Sequence, residues 1–132
     1  MDKKVLIVDD SEINRDILNE IVSDKYETLQ AENGKEAVVI LDNNIDDIVA
    51  VLLDLYMPIM DGFQVLQIMS TKQWIGKLPV LVISSETSVD IEKKCFKYGI
   101  SDFIHKPFDY ELITKRLDNV VNLYELSNNL EE

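Results

Sequence analysis

The stretch "VAVLLDLYMPIMDG", residues 49–62, decides the fold. Val49 to Leu53 is uninterrupted apolar sequence, and a run of that kind reads as a strand buried on both faces. It ends on a carboxylate, Asp54. Met57-Pro58 and Asp61-Gly62 follow, both in turn-forming sequence. Taken alone, Asp54 reads as a turn-initiating residue. The competing reading is a reactive side chain held at the tip of a strand, and the rest of the chain decides between them.

Working outward from that stretch, apolar runs and helix-patterned segments alternate. "KVLIV" (4–8), "YETLQA" (26–31), "IVAVLLD" (48–54), "LPVLVISS" (78–85) and "DFIHK" (102–106) read as strands. Between and after them, 11–24, 33–44, 62–71, 89–99 and 109–132 carry apolar residues at helical spacing. Asp10 or Ser11 can cap the first helix and Asp109 the last, and Gly99 is placed to stop the fourth. Strictly alternating β and α with near-continuous apolar strands implies a parallel sheet covered on both faces. The predicted fold class is α/β, an open doubly wound five-stranded sheet; a barrel requires eight such units.

The 132 residues and 46% apolar content suit one domain with a real core. A formal net charge of −12 argues against direct nucleic-acid binding and suits a cation or a basic partner. No apolar run is long enough to span a membrane or to serve as a signal peptide, so a cytoplasmic location is expected. Cys95 is the sole cysteine and reads as a small core residue. His105, the sole histidine, reads as a surface strand residue facing away from Lys106. Trp74 reads as a loop anchor.

In an open α/β sheet, ligands bind beyond the carboxyl ends of the strands. Those ends carry Asp9-Asp10, Asp54, Ser84-Ser85 and Lys106-Pro107. Carboxylates gathered there repel one another and raise each other's pKa. A hard divalent ion with oxygen ligands offsets that repulsion, and Lys106 adds a point charge. Metal, ammonium and the Ser84 hydroxyl together can cradle a phosphoryl group, with a carboxylate as its nucleophile.

"VDD" after the first strand, "LLDLYMPIMDG", "VLVISS" and "DFIHKPF", in that order, resemble the receiver domain of two-component response regulators over roughly residues 3–122. The resemblance implies the flavodoxin-like (βα)₅ fold with strand order 2-1-3-4-5. It further implies that Asp54 is the phosphoacceptor, that Asp9, Asp10, Asp54 and the Tyr56 backbone carbonyl hold Mg²⁺ (or Mn²⁺), and that Asp10 is the more direct of the acidic pair. Ser84 and Phe103 fall on the switch positions and Lys106 on the family lysine, with a cis Lys106–Pro107 bond. Ser85, Glu86 and Tyr56 fall where the family tunes pocket access and acyl-phosphate lifetime. On phosphorylation, Ser84 and Lys106 would be drawn to the new charge and Phe103 would turn inward. The implied partner is a histidine kinase or a phosphotransfer protein.

Competing readings fit less well. A haloacid-dehalogenase-type hydrolase wants an Asp at Tyr56, an FMN-binding flavodoxin would not carry "DDSE" in its phosphate loop, and a purely constitutive binding module would not need the complete acidic set. Beyond residue 122, 123–132 reads as a helical extension leading to an output domain, with a stand-alone receiver as the alternative. Its acidic, Asn-rich character resembles linkers before cyclic-dinucleotide enzymes more than those before DNA-binding domains. Leu123, Leu126 and Leu130 are spaced like a short seam, too short for a coiled coil; the resemblance implies that homodimer or output contacts use the surface of the fourth helix, fifth strand and fifth helix.

Overall fold

The computed structural model describes residues 3–131, with side-chain surroundings through residue 128. In chain order the elements are β1 (Lys4–Val8), α1 (Glu12–Val22), β2 (Glu27–Ala31), α2 (Gly34–Asn44), β3 (Ile48–Leu53), α3 (Gly62–Thr71), β4 (Val80–Ser84), α4 (Val89–Tyr98), β5 (Asp102–His105) and α5 (Tyr110–Glu131). All strand pairings are parallel and the order is β2-β1-β3-β4-β5. Alternation and order both agree with the sequence reading.

The strands divide their side chains between two cores because successive residues point to opposite faces. Val5, Ile7, Ala50, Leu52, Leu81, Ile83 and Ile104 pack beneath α1 and α5, against Leu18, Ile21, Ile113 and Leu117. Leu6, Val8, Val51, Leu53, Val80, Val82 and Phe103 pack against Ala37, Leu41, Val65, Leu66 and Met69 of α2 and α3. Cys95 of α4 and Trp74 lie in the second core, as small filler and loop anchor. Each fully buried Leu or Ile contributes about 1.5–3 kcal/mol, so the paired cores hold the sheet's interior strands firmly.

Local signals start and stop the helices. Ser11 caps α1, Asn33 caps α2 and Ser88 caps α4, each accepting from a backbone N–H three residues on. Asp61 caps α3 in a reciprocal capping box with Gln64. Asp109 caps α5 one way only, accepting from the Leu112 N–H at 3.1 Å. Gly99 closes α4 at φ 100°, a conformation that L side chains rarely adopt.

The register of β1 and β3 places the site. Val8 lies opposite Leu53 in the sheet, so the next residues, Asp9 and Asp54, leave it side by side. The Asp54 N–H bonds to the Val8 carbonyl at 2.9 Å and the Asp9 N–H to the Ala31 carbonyl at 3.1 Å, so both still hang from the sheet backbone. On the other flank Ser84 pairs with His105, and the Lys106 N–H continues the ladder to the Ser84 carbonyl at 2.9 Å.

Helix α5 runs without a break from Tyr110 to Glu131, about 33 Å at 1.5 Å per residue, and no helical boundary falls at residue 122. Leu123 and Leu126 are exposed; the Leu130 side chain and Glu132 lie outside the described residues. Among the described residues no helix is long and apolar enough to cross a membrane.

Candidate functional site

The site begins with the two carboxylates that the β1–β3 register sets together. Asp9 is almost fully buried, and every polar atom it presents is used. Its Oδ1 accepts from the Ser11 N–H at 2.9 Å, its Oδ2 from Lys106 Nζ at 3.2 Å and Asn14 Nδ2 at 3.5 Å, and its carbonyl from Arg15 Nη1 at 2.8 Å. Asp54 is 7% exposed, with Lys106 Nζ 3.7 Å from its Oδ1. Asp10 is exposed at the rim, and Asp9, Asp10 and Asp54 each bring one carboxylate oxygen within 4.8 Å of the others.

The balance of charge is negative. Lys106 is the cation that reaches the carboxylates of both Asp9 and Asp54, while Arg15 meets the Asp9 carbonyl. The Asp54 carboxyl is pushed up to about 6, first by burial and then by the neighbouring Asp9 charge. Lys106 and the Leu55 N–H pull it back, and Asp10 adds a smaller upward push. An all-oxygen donor set with excess negative charge fits a hard divalent cation and no softer metal.

The β3–α3 segment that follows Asp54 is tightly held. Gly62 opens α3 with its N–H on the Leu55 carbonyl at 2.8 Å. A Cβ at Gly62 would lie 2.4 Å from the Asp54 carbonyl oxygen, so only glycine lets α3 approach this closely. The segment's bend comes from a γ-turn: the Met60 N–H bonds to the Pro58 carbonyl at 2.7 Å around Ile59, whose φ is 70°. A β-branched residue at positive φ is strained, and Ile59 is 76% exposed.

This arrangement is that of a response regulator receiver. The family model described as "Response regulator receiver domain" matches residues 5–118. The chain belongs to this family. The receiver is 33% identical over 122 residues to the chemotaxis protein CheY of Halobacterium salinarum, covering 92% of this chain and 98% of that one. It is 31% identical over 118 residues to a cyclic di-GMP phosphodiesterase of Thermotoga maritima, covering 89% of this chain and 30% of that protein. Among solved structures it superposes on the CheX–CheY–BeF₃–Mg²⁺ complex from Borrelia burgdorferi with TM-score 0.81 at 34% identity, covering 89% of this chain and 87% of that one. It is thus a CheY-like phosphoacceptor domain of two-component signalling.

The other residues singled out from the sequence fall as follows. Ser84 is buried, and its Oγ accepts from the Glu86 N–H at 3.1 Å. Ser85 is exposed. Tyr56 is half exposed; its hydroxyl donates to Glu86 Oε2 at 3.3 Å, and its ring meets Phe63 edge-on with centroids 6.2 Å apart. The Lys106–Pro107 bond is cis. Phe103 is 4% exposed and lies in the α2–α3–α4 core, with its ring 5.1 Å from that of His105.

Sequence reasoning missed Arg15 and Asn14. Both lie on the first two turns of α1 and bend back onto Asp9, and neither residue type at that offset carries a distinguishing signal. It also missed the contacts of His105, which is exposed as expected but touches three separate groups.

Proposed function

We propose that Asp54 accepts a phosphoryl group from the phosphohistidine of a histidine kinase or phosphotransfer protein. The observation that carries this is the placement of the Asp54 carboxyl at the buried tip of β3, with Lys106 Nζ 3.7 Å away and two further carboxylates within 4.8 Å. An Asp54 oxygen attacks phosphorus, the P–N bond to the donor imidazole breaks, and the imidazole leaves with a proton from solvent. Asp54 must be ionised to attack, and with its carboxyl at about 6 it is mostly so at neutral pH. Lys106, already between Asp9 and Asp54, meets the charge delivered on the phosphoryl oxygens. Ser84 accepts through its lone pair from Glu86, which leaves its O–H free to donate to the same oxygens.

Asp9, Asp10, Asp54 and the Tyr56 carbonyl are the residues that would hold Mg²⁺ or Mn²⁺, which supplies charge neutralisation for the carboxylates and phosphoryl oxygens when bound. Tyr56 and Glu86, joined across the mouth of the site, restrict access of water to the acyl phosphate; Ser85 borders the same opening. The chemistry is a switch, not turnover of a separate substrate. Charge added at Asp54 draws in Ser84 and Lys106, lets Phe103 turn inward behind Ser84 and repacks the α4–β5–α5 face.

The domain is read as residues 1–122, with 123–132 a helical extension. Its cellular place is the cytoplasm. The continuous α5 and its acidic end support transmission to an output domain, a cyclic-dinucleotide enzyme before a DNA-binding one; the exposed Leu123 and Leu126 would seat a second copy. The test is incubation with Mg²⁺ and a small phosphodonor. An acid-stable, base-labile phosphoryl mass increment, absent in Asp54→Asn, is expected; no adduct on a folded wild-type protein overturns the assignment.

A further inference from the structure

His105 sits at the end of β5 between two acceptors. Its Nδ1 lies 3.2 Å from the Glu86 backbone carbonyl, and its Nε2 lies 3.7 Å from Glu92 Oε1 on the first turns of α4. Its ring lies 5.1 Å from that of Phe103, tilted by 51°. The carbonyl fixes the tautomer, because a bare Nδ1 lone pair facing a carbonyl oxygen would repel it; Nδ1 therefore carries the proton. In the neutral ring Nε2 then turns a lone pair towards the Glu92 carboxylate. Only the imidazolium satisfies both partners, one by a hydrogen bond and the other by an ion pair.

The loop held in this way is the one that positions Ser84. The Glu86 N–H donates to Ser84 Oγ at 3.1 Å, while the Glu86 carboxylate accepts from the Thr87 and Ser88 N–H groups at 3.0 and 2.9 Å. One residue therefore ties β5, the β4–α4 loop and α4 together. The charged groups facing it are Glu92 from α4 and Glu86 from the loop. The remaining neighbours are turned elsewhere: Lys106 to Asp9 and Asp54, Asp102 to Arg116 of α5, and Lys94 to the Phe63 ring.

We propose that His105 is a positioning residue, a proton-operated clamp that, when charged, fastens the β4–α4 loop behind Ser84 to Glu92 of α4 in the arrangement seen here and, when neutral, keeps the Glu86 carbonyl but lets go of Glu92. Drawing Ser84 towards a phosphoryl group at Asp54 must pull on this clamp, so protonation of His105 opposes activation; this coupling rests on the Asp54 assignment. By linkage the effect is reciprocal: an activated site disfavours the charged imidazole.

The test follows amide and imidazole resonances of the free protein by NMR from pH 5 to 8, the range in which histidine changes charge. The Glu86, Thr87 and Ser88 amides are expected to titrate with the His105 imidazole. That response should disappear in His105→Gln, which keeps a donor without the charge, and shrink in Glu92→Gln. Loop amides that ignore the His105 titration, or keep it in His105→Gln, overturn the clamp. The second arm measures beryllofluoride affinity with Mg²⁺ for wild type and His105→Gln. Asp54 titrates equally in both, so their ratio isolates His105. Wild type should equal the variant at pH 8 and bind about two- to fivefold more weakly at pH 6, the range of an exposed ion pair. A pH-independent ratio overturns the coupling. Failure of wild type to bind beryllofluoride at any pH strikes the Asp54 assignment, while the loop arm decides the clamp by itself.

Discussion

The interior of the sheet and its carboxyl edge are built on opposite principles. Inside, β1, β3 and β4 present almost nothing but aliphatic side chains, split cleanly between two cores. At the edge, one step beyond, stand the four buried polar residues among those described: Asp9, Asn33, Asp54 and Ser84. Asn33 is used as a helix cap. The other three belong to the site, and two are like charges in contact distance of a shared lysine. Burial stabilises the interior and destabilises the edge, because buried carboxylates are costly unless offset. The fold tolerates that cost because the paired cores exceed it, and the strand tips are rigid because the strands behind them are.

The sharpest way to break this contrast is Asp54→Asn. Phosphoryl acceptance should vanish, as read by mass spectrometry, while stability moves the other way. Asp54 has a folded pKa of about 6 against an ordinary 3.8, so the native state holds its proton more tightly than the unfolded chain. The group's stabilising contribution is full below 3.8 and is lost as pH rises through about 6. Asn, which never ionises, should therefore make the protein more stable at pH 7 by up to about 3 kcal/mol, with no gain near pH 3.5. Urea unfolding at the two pH values checks the sign; Mg²⁺ should stabilise wild type and leave the variant less affected.

A cut in the interior should act in the ordinary direction at every pH. Leu52→Ala, fully buried under α1 and α5, should cost about 2–5 kcal/mol and leave the phosphorylation chemistry in place while the domain remains folded. Gly62→Ala joins the two regions. Its Cβ must displace the Asp54 carbonyl, so it should destabilise by about 1–3 kcal/mol and also slow phosphoryl acceptance, measured with the same small donor. The smallest effect is expected at Ser11→Ala, which removes the α1 cap for about 1 kcal/mol without reaching the Asp54 carboxyl; a large loss of phosphorylation there would show that the β1–α1 loop is less well held by Arg15 and Lys106 than their bonds to Asp9 imply.

What the chain announces in advance follows the same division. The interior was legible because aliphatic runs such as Leu52-Leu53 and Val80–Ile83 leave few alternatives, and three of them, with two weaker strands, separated by helical periods leave almost no other architecture. Asp9, Asp10, Asp54, Ser84 and Lys106 were legible because each stands at, or within two residues after, the end of a strand-patterned segment. Contacts that depend on side-chain reach were not. Nothing in "INR" says that Arg15 folds back six residues to the Asp9 carbonyl. Nothing in "DFIHK" says that His105 lies between Glu86 and Glu92. The Asp-Gly pair at 61–62 reads as a turn, yet its glycine has no positive φ. It is there for close approach, and the positive φ belongs to Ile59.

The assignment of the acceptor residue is tested most directly by borohydride trapping of the phosphorylated wild-type protein followed by peptide mapping, which marks an acyl phosphate by reducing its carboxyl carbon. A single site of reduction at Asp54, within the peptide carrying residues 49–62, is the predicted result. Reduction at Asp9 or Asp10, or none in a protein shown to carry the phosphoryl group, would contradict it.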